Sequence, residues 1–428
     1  MANVTDFTPV WAYVPAAYGN DSVFPQIPVN TANLKNSRTG FSFRLRADGA
    51  YTQIGKDDLI NHYPLKNGKL HPNPVLFLEQ KETNFCPRNT ALDFWTTTRL
   101  SVTKNVVNAP DKLEQAEILS SDATNNSHFI EISSAAAVSS GSAIVSCFVH
   151  CGDREHIKLE VERSGTVYFQ FFNIKTNTLG DKQDVDDAGI IEYPDGWKRV
   201  YMIIGTTGNH VTDFRLYVAD GNQIGDEVFK GGNHEDIWAW GYQYEVGADR
   251  VKPSSLIETG ATTSDRNKDF VGTPSVDIFN SQEGIFYVDV TFSKMSKAGA
   301  AIGICDGSSS NGVFFERVTT APNAIESYVK VGGLNVSFKS IQSFETSERI
   351  RLAIAWQESQ FLHYANGQEV HEELIGSTFD LKELTTVVCH DGGVSNAFDG
   401  FIHEIRVYNP THLGTAQLKD FLKAITTQ

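Results

Sequence analysis

Carboxylates are the residues best placed to do chemistry in this sequence. The first pair is Glu160 and Glu162 in Leu159-Glu160-Val161-Glu162-Arg163. Residues two apart in a strand share a face, so both carboxylates point the same way. Glycoside hydrolysis needs two such groups flanking the bond to be cut, ~5–5.5 Å apart in a retaining enzyme. No third carboxylate continues the alternation, and a solvated strand face is the expectation. The second cluster is Gly-Asp-Lys-Gln-Asp-Val-Asp-Asp-Ala-Gly, which holds Asp181, Asp184, Asp186 and Asp187. Charges this close repel unless water or a cation screens them. One expectation is therefore a structural calcium ion on Asp184, Asp186 and Asp187, and the other is an exposed acidic loop. No other cofactor is expected.

Other chemistries lack their parts. No Gly-x-Ser-x-Gly nucleophile turn, P-loop or dinucleotide fingerprint is present. Cys147 and Cys151, with His150 and His156 nearby, have no second ligand pair at zinc spacing. Five scattered cysteines form no disulfide framework and point to assembly in a reducing compartment. Sugar binding has more room. Aromatic faces stack on the C–H faces of sugars while amides and carboxylates take the hydroxyls. Tyr193, Trp238, Trp240, Trp356 and Tyr364 lie on or near the ends of expected strands. Asp306, Asn311 and Asn396 fall in expected loops. The candidate glycan residues are Trp238, Trp356, Tyr364, Asp306, Asn311 and Asn396, although alternating rings in a sheet protein are packing residues first.

The elements that must position these groups are strands. Residues 96–250 hold FIEISS, SAIVSCFVHC, HIKLEVER, TVYFQFFNI, GWKRVYMIIG, DFRLYVADG and DIWAWGYQYEVG, with turns every 8–12 residues. Residues 275–428 repeat the style with GIFYVDVTFS, AAIGICDG, GVFFERV, IESYVKVG, RIRLAIAWQ, QFLHYANGQEV, TTVVCHDG and DGFIHEIRVYN. The end of this region, LGTAQLKDFLKAI, has the spacing of a short amphipathic helix. Between the two lies a polar stretch, 251–274, expected as a linker. Residues 41–95 read as a small β module with hairpin turns at Asp48-Gly49 and Asn67-Gly68. Residues 1–40 read as an extended arm without a core of its own, ordered only by packing on something else.

The net charge of −16 repels phosphate backbones and disfavours anionic membrane surfaces, so neither nucleic acid nor membrane insertion is expected. The N-terminal residues lack the basic and apolar regions of a signal peptide, and no run has the ~20 apolar residues of a membrane span.

Several stretches, spread over about two thirds of the chain, resemble modular phage virion proteins of the tail-fibre and head-fibre type. One is Leu78-Glu79-Gln80 with Thr83-Asn84 and then Trp95. A second is Ala109-Pro110-Asp111, followed far downstream by Gly196-Trp197. The third is the closing strand Trp240-Gly241-Tyr242-Gln243-Tyr244-Glu245-Val246-Gly247 with its Thr-rich exit. Asp399–Tyr408 is similar to the last strand of laminin-G or concanavalin-A-like sandwiches. The resemblance implies an all-β chain of two sandwiches in tandem, the first carbohydrate-binding-module-like and of jelly-roll type, the second concanavalin-A-like. It further implies a virion protein assembled in the host cytoplasm, with other virion proteins as partners and a homo-oligomeric state, a trimer being favoured. Its expected role is recognition of a bacterial surface glycan without catalysis. The alternatives are a capsid-decoration or fibre-connector protein without a ligand and, behind it, a polysaccharide depolymerase.

Overall fold

The computed structural model describes residues 9–15, 34–38, 41–55, 61–134, 141–163, 165–206, 212–232, 234–247, 252–293, 299–318, 324–341, 348–357, 360–374, 379–393, 396–410 and 413–427. The chain is all-β, with four large sheets that pair into two sandwiches. Among the described residues no helix is long and apolar enough to cross a membrane.

In the first sandwich one sheet runs Leu100–Asn108, Glu114–Ser121, Ile237–Val246, Gly141–Cys151, Lys198–Thr206, Asp187–Glu192. The facing sheet runs Thr178–Gln183, Thr166–Asn173, His156–Arg163, Thr212–Ala219, Asn125–Ser134, Val228–Lys230. Alternate residues such as Val145, Leu159, Met202 and Leu216 fill the space between them. The second sandwich is built the same way. Gly284–Phe292 sits between Gly400–Tyr408 and Arg349–Gln357 in one sheet, and Ala300–Cys305 between Thr386–Val388 and Gly312–Arg317 in the other. Helix Thr415–Thr427 covers part of the outer face of the first of these sheets through Leu418, Phe421, Leu422 and Ile425.

The strand Ile237–Val246 departs from a uniform alternation. Ile237 and Ala239 face the sandwich core, while Trp238 and Trp240 face the other way. At Gly241 the backbone takes φ +64°, and the register against Gly141–Cys151 slips by one residue between Ser146 and Phe148. Beyond this bulge Tyr242 and Tyr244 face the core. Four rings at alternate positions are thus divided between two clusters. A Cβ on Gly241 would lie 3.1 Å from Phe148 Cδ2 and 3.2 Å from Leu256 Cδ1. Gly241→Val is expected to destabilise the fold by about 1–3 kcal/mol, from a β-branched residue at positive φ and from overpacking. A thermal melt lowered by several degrees checks this, and an unchanged melt would refute it.

The N-terminal region does not form separate beads. Trp11–Tyr13 pairs with Gly400–Tyr408, and Lys35–Asn36 pairs with Val271–Gly272, so the described parts of the expected arm are edge strands of the chain's own second sandwich. Residues 1–8, 16–33 and 39–40 of that arm lie outside the described residues. The expected β module over 41–95 is divided as well. Its two hairpins form at the expected turns, with Asn67 and Gly68 both at positive φ. Phe43, Leu45 and Tyr51 then pack on Phe148, Trp197 and Trp240 of the first sandwich, whereas Leu76 and Leu78 enter the core of the second. The stretch 251–274 also departs from a plain linker: Ser264–Arg266 pairs with Glu82–Asn84, and Leu256, Ile257 and Arg266 are buried.

Polarity is what hid this packing in the sequence, because the polar groups satisfy one another out of water. Arg44 bridges Glu79 at 2.9 Å and Asp269 at 3.1 Å. Arg38 also pairs with Asp269, and Arg266 lies 3.3 Å from Glu79. The Ser255 N–H and hydroxyl donate to Glu79 at 2.8 and 2.6 Å. All these charged side chains are at most 5% exposed. Burial alone would raise the Glu79 carboxyl, but Arg266 and Arg44 outweigh it and hold the group down at about 2.

Candidate functional site

The outer face of the first sandwich brings one group of reactive side chains together. His156–Arg163, Thr212–Ala219 and Asn125–Ser134 are neighbours in register. Glu160 stands opposite Arg215, and Arg215 opposite Glu131. In the adjacent row Lys158 stands opposite Tyr217, and Tyr217 opposite Phe129. The inward positions between them, such as Leu159, Leu216 and Ile130, are core. A two-residue period therefore forces the charged and aromatic set outward.

Arg215 organises this face. Its Nη1 donates to Glu160 at 2.8 Å and Glu162 at 2.9 Å, and its Nε donates to Glu131. These three bonds raise the guanidinium pKa although burial, the largest influence, opposes them. The Tyr217 hydroxyl donates to Glu160 at 3.1 Å. Lys158 Nζ lies 2.8 Å from Glu160, 3.2 Å from Glu227 and 4.1 Å from the centre of the Tyr217 ring. The Phe129 and Tyr217 rings lie 4.6 Å apart. Burial pushes Glu160 upward, but Lys158 and Arg215 prevail and its pKa is lowered. A general acid in glycoside hydrolysis needs the opposite shift. The face stays reachable, because Glu131 is 29% and Glu162 32% exposed, and Phe129 is half-buried.

The Glu160–Glu162 pair is thus joined by a third carboxylate, Glu131, and by Arg215, Phe129 and Tyr217, none of them among the candidates read from the sequence. They come from strands distant along the chain. Their outward direction was readable, since Glu131 lies between Ile130 and Ile132 and Arg215 between Phe214 and Leu216.

Several sequence candidates are redirected. Trp356 is completely buried in the second core, with its Nε1 donating to the Asn280 carbonyl at 3.3 Å, so no ring face is open to a sugar. Tyr364 is 4% exposed, packs in the apolar cluster beneath the C-terminal helix and donates to Glu369 at 3.0 Å. Trp238 is half-buried and stacks on His150 at 4.3 Å. Asp306 and Asn311 are occupied in shaping a loop. Asp306 accepts from Ser308 N–H at 2.8 Å and from the Asn311 amide at 3.0 Å, while Asn311 accepts from Gly332 N–H at 2.6 Å. Asn396 donates to Glu316 at 2.7 Å. Asp184, Asp186 and Asp187 are exposed, and no group of three or more His, Cys, Asp or Glu among the described residues is arranged to hold a metal ion.

The Asp306–Asn311 loop borders a cavity of about 410 Å³, to which Gly307, Phe270, Thr386, His390 and Gly392 contribute walls. Phe270 and His390 stack there at 4.0 Å. Burial lowers the His390 imidazole to about 4, so the ring is neutral at pH 7.

The chain matches no known protein-family model, and no curated protein at a significant level. It is similar to several solved structures. CBM40 of the Ruminococcus gnavus IT-sialidase, bound to α2,3-sialyllactose, is 16% identical over 34% of this chain and 84% of that one, with a TM-score of 0.28. Domains LG4-5 of the mouse laminin α1 chain are 12% identical over 67% of this chain and 86% of that one, with a TM-score of 0.24. Trypanosoma rangeli sialidase is 9% identical over 73% and 61%, with a TM-score of 0.29. Scores this low carry no argument, and function is inferred from the chain's own geometry.

Proposed function

We propose that this chain is a non-catalytic glycan-binding protein of a phage virion, of the tail- or head-fibre type, that contacts a bacterial surface polysaccharide. One observation carries the glycan part: a partly exposed patch of the sheet face where Glu131, Glu162 and Arg215 are held in fixed geometry beside the Phe129 ring, next to the buried Lys158, Glu160 and Tyr217. The carboxylates accept sugar hydroxyls, the guanidinium donates to them, and the ring meets a C–H face. Because Arg215 already fixes the carboxylates, binding costs little side-chain entropy. The depolymerase alternative finds no raised carboxyl at Glu160. The virion assignment is supported by the sequence resemblance alone. A homo-oligomer, a trimer by preference, would multiply weak single-site affinity by ~10²–10⁴ where geometry permits.

Glycan arrays and calorimetry with the intact protein test the proposal. Arg215→Ala is expected to weaken binding at least tenfold, about 1.4 kcal/mol, by releasing all three carboxylates. Failure of the native protein to bind any bacterial glycan would remove the glycan assignment. Absence from purified particles in immunoelectron microscopy would remove the virion assignment.

A further inference from the structure

We propose that the second sandwich carries a separate recognition site for a carboxylate-bearing sugar, built on Arg349 and Arg351, which extends the glycan-binding assignment to acidic polysaccharides. The site lies on the sheet face that the C-terminal helix leaves uncovered. On the three central strands, Tyr287 lies opposite Ala353 and Arg406, Asp289 opposite Arg351 and Glu404, and Thr291 opposite Arg349. The helix packs on Ile285, Tyr287, Ala353 and Ala355. The next two rows stand outside that apolar cluster, and they are the charged ones.

Arg349 donates from Nε and Nη2 to the two oxygens of Asp289 at 2.6 and 2.7 Å. Arg351 Nε donates to the same carboxylate at 3.0 Å. Asp289 is 2% exposed, whereas Arg349 is 48% and Arg351 25% exposed. Arg406 pairs with Glu404 on the adjoining strand. Three guanidiniums therefore meet two carboxylates, an excess of positive charge on a chain whose net charge is −16.

One arginine is enough to compensate Asp289. The second brings two guanidiniums close together, a repulsion that a ligand carboxylate would relieve. The arrangement does suit ligand binding. A buried carboxylate fixes two forked donors side by side and leaves their outer edges in solvent. Planar guanidinium matches a carboxylate in a two-point geometry that a lysine does not provide.

Calorimetric titration of the intact chain with trigalacturonate, and with its carboxyl-reduced neutral counterpart, tests the site. The acidic sugar is expected to bind at least tenfold more tightly than the neutral one. Removing both arginines alone would strand Asp289, so the variant used is Arg349→Gln, Arg351→Gln with Asp289→Asn. It is expected to lose at least tenfold in trigalacturonate affinity, whereas Lys382→Ala, which removes an exposed cation paired with Asp277, leaves that affinity unchanged. Equal affinity for the two sugars, or wild-type affinity in a folded triple variant, overturns the proposal. Should the triple variant melt early, Arg349→Lys with Arg351→Lys keeps the charge and removes the fork, and unchanged affinity in that variant overturns it equally. Trigalacturonate binding that persists when every neutral glycan fails supports this site while refuting the role assigned to the Arg215 face.

Discussion

Replacing Glu79 with alanine is expected to remove about 3–5 kcal/mol of folding stability, because Arg44 and Arg266 would remain buried without their shared carboxylate. The loss should be read in urea denaturation at pH 7 and should greatly exceed that of an exposed carboxylate variant. Glu79 receives two hydrogen bonds from Ser255 and its own N–H donates to Asp269 at 2.9 Å, so the change reaches segments 42–45 and 254–269 together. The first segment packs on one sandwich, and the second leads into the other. A single unfolding transition in the wild type is therefore expected to divide into two. Acid adds a second signature. The folded carboxyl titrates at about 2, below its ordinary value of 4.5. Its contribution is present above pH 4.5 and is lost as pH falls toward 2. Glu79→Gln should lack that acid limb. A Glu79→Ala protein as stable as the wild type would show that the ion cluster contributes nothing.

Glu117 makes the opposite case. It is 1% exposed, and Oε1 accepts from Leu92 N–H at 3.2 Å while Oε2 has no hydrogen-bond partner among the described residues. Burial raises its carboxyl to about 8, partly offset by the Leu92 N–H. A folded value above the unfolded one stabilises fully below pH 4.5, and this contribution is lost as pH rises through 8. The slope is roughly 1.4 kcal/mol per pH unit, so several kcal/mol are at stake between pH 5 and pH 8. The neutral isostere Glu117→Gln is expected to gain steadily on the wild type across that range in denaturant titrations. Parallel stability curves for the two proteins would mean that Glu117 is ionised in the fold at neutral pH.

Most strands were legible because they obey a two-residue alternation broken by turn residues. Asn366-Gly367, with both residues at positive φ, is an example, and the amphipathic spacing of the terminal helix was another readable signal. What escaped was long-range and short in extent. Trp11–Tyr13 and Leu76–Leu78 are strands of three residues, too short to show a period, and their partner lies at the far end of the sequence. Arg38, Arg44, Arg266 and Asp269 fell in stretches read separately as arm, small module and linker, because composition cannot reveal that they neutralise one another. The bulge at Gly241 was hidden since Trp238 and Trp240 continue the spacing of Tyr242 and Tyr244 while facing the other way. The shared face of Glu160 and Glu162 was legible, but the solvated strand face expected there was not found at Glu160, which is buried among Lys158, Arg215 and Tyr217. Their partner Arg215 was not legible, because register between distant strands is decided by the whole sheet.

The docking of Trp11–Tyr13 and Leu76–Leu78 on the same late strand shapes how the protein must be made. During translation these early apolar pieces emerge long before Gly400–Tyr408 exists, and nothing native is available to shelter them. Closure of the second sandwich becomes a late, high-contact-order event, slow compared with local hairpin formation. Nascent chains stalled before that strand would carry naked Trp11, Leu76 and Leu78, and would depend on chaperones or be lost to aggregation.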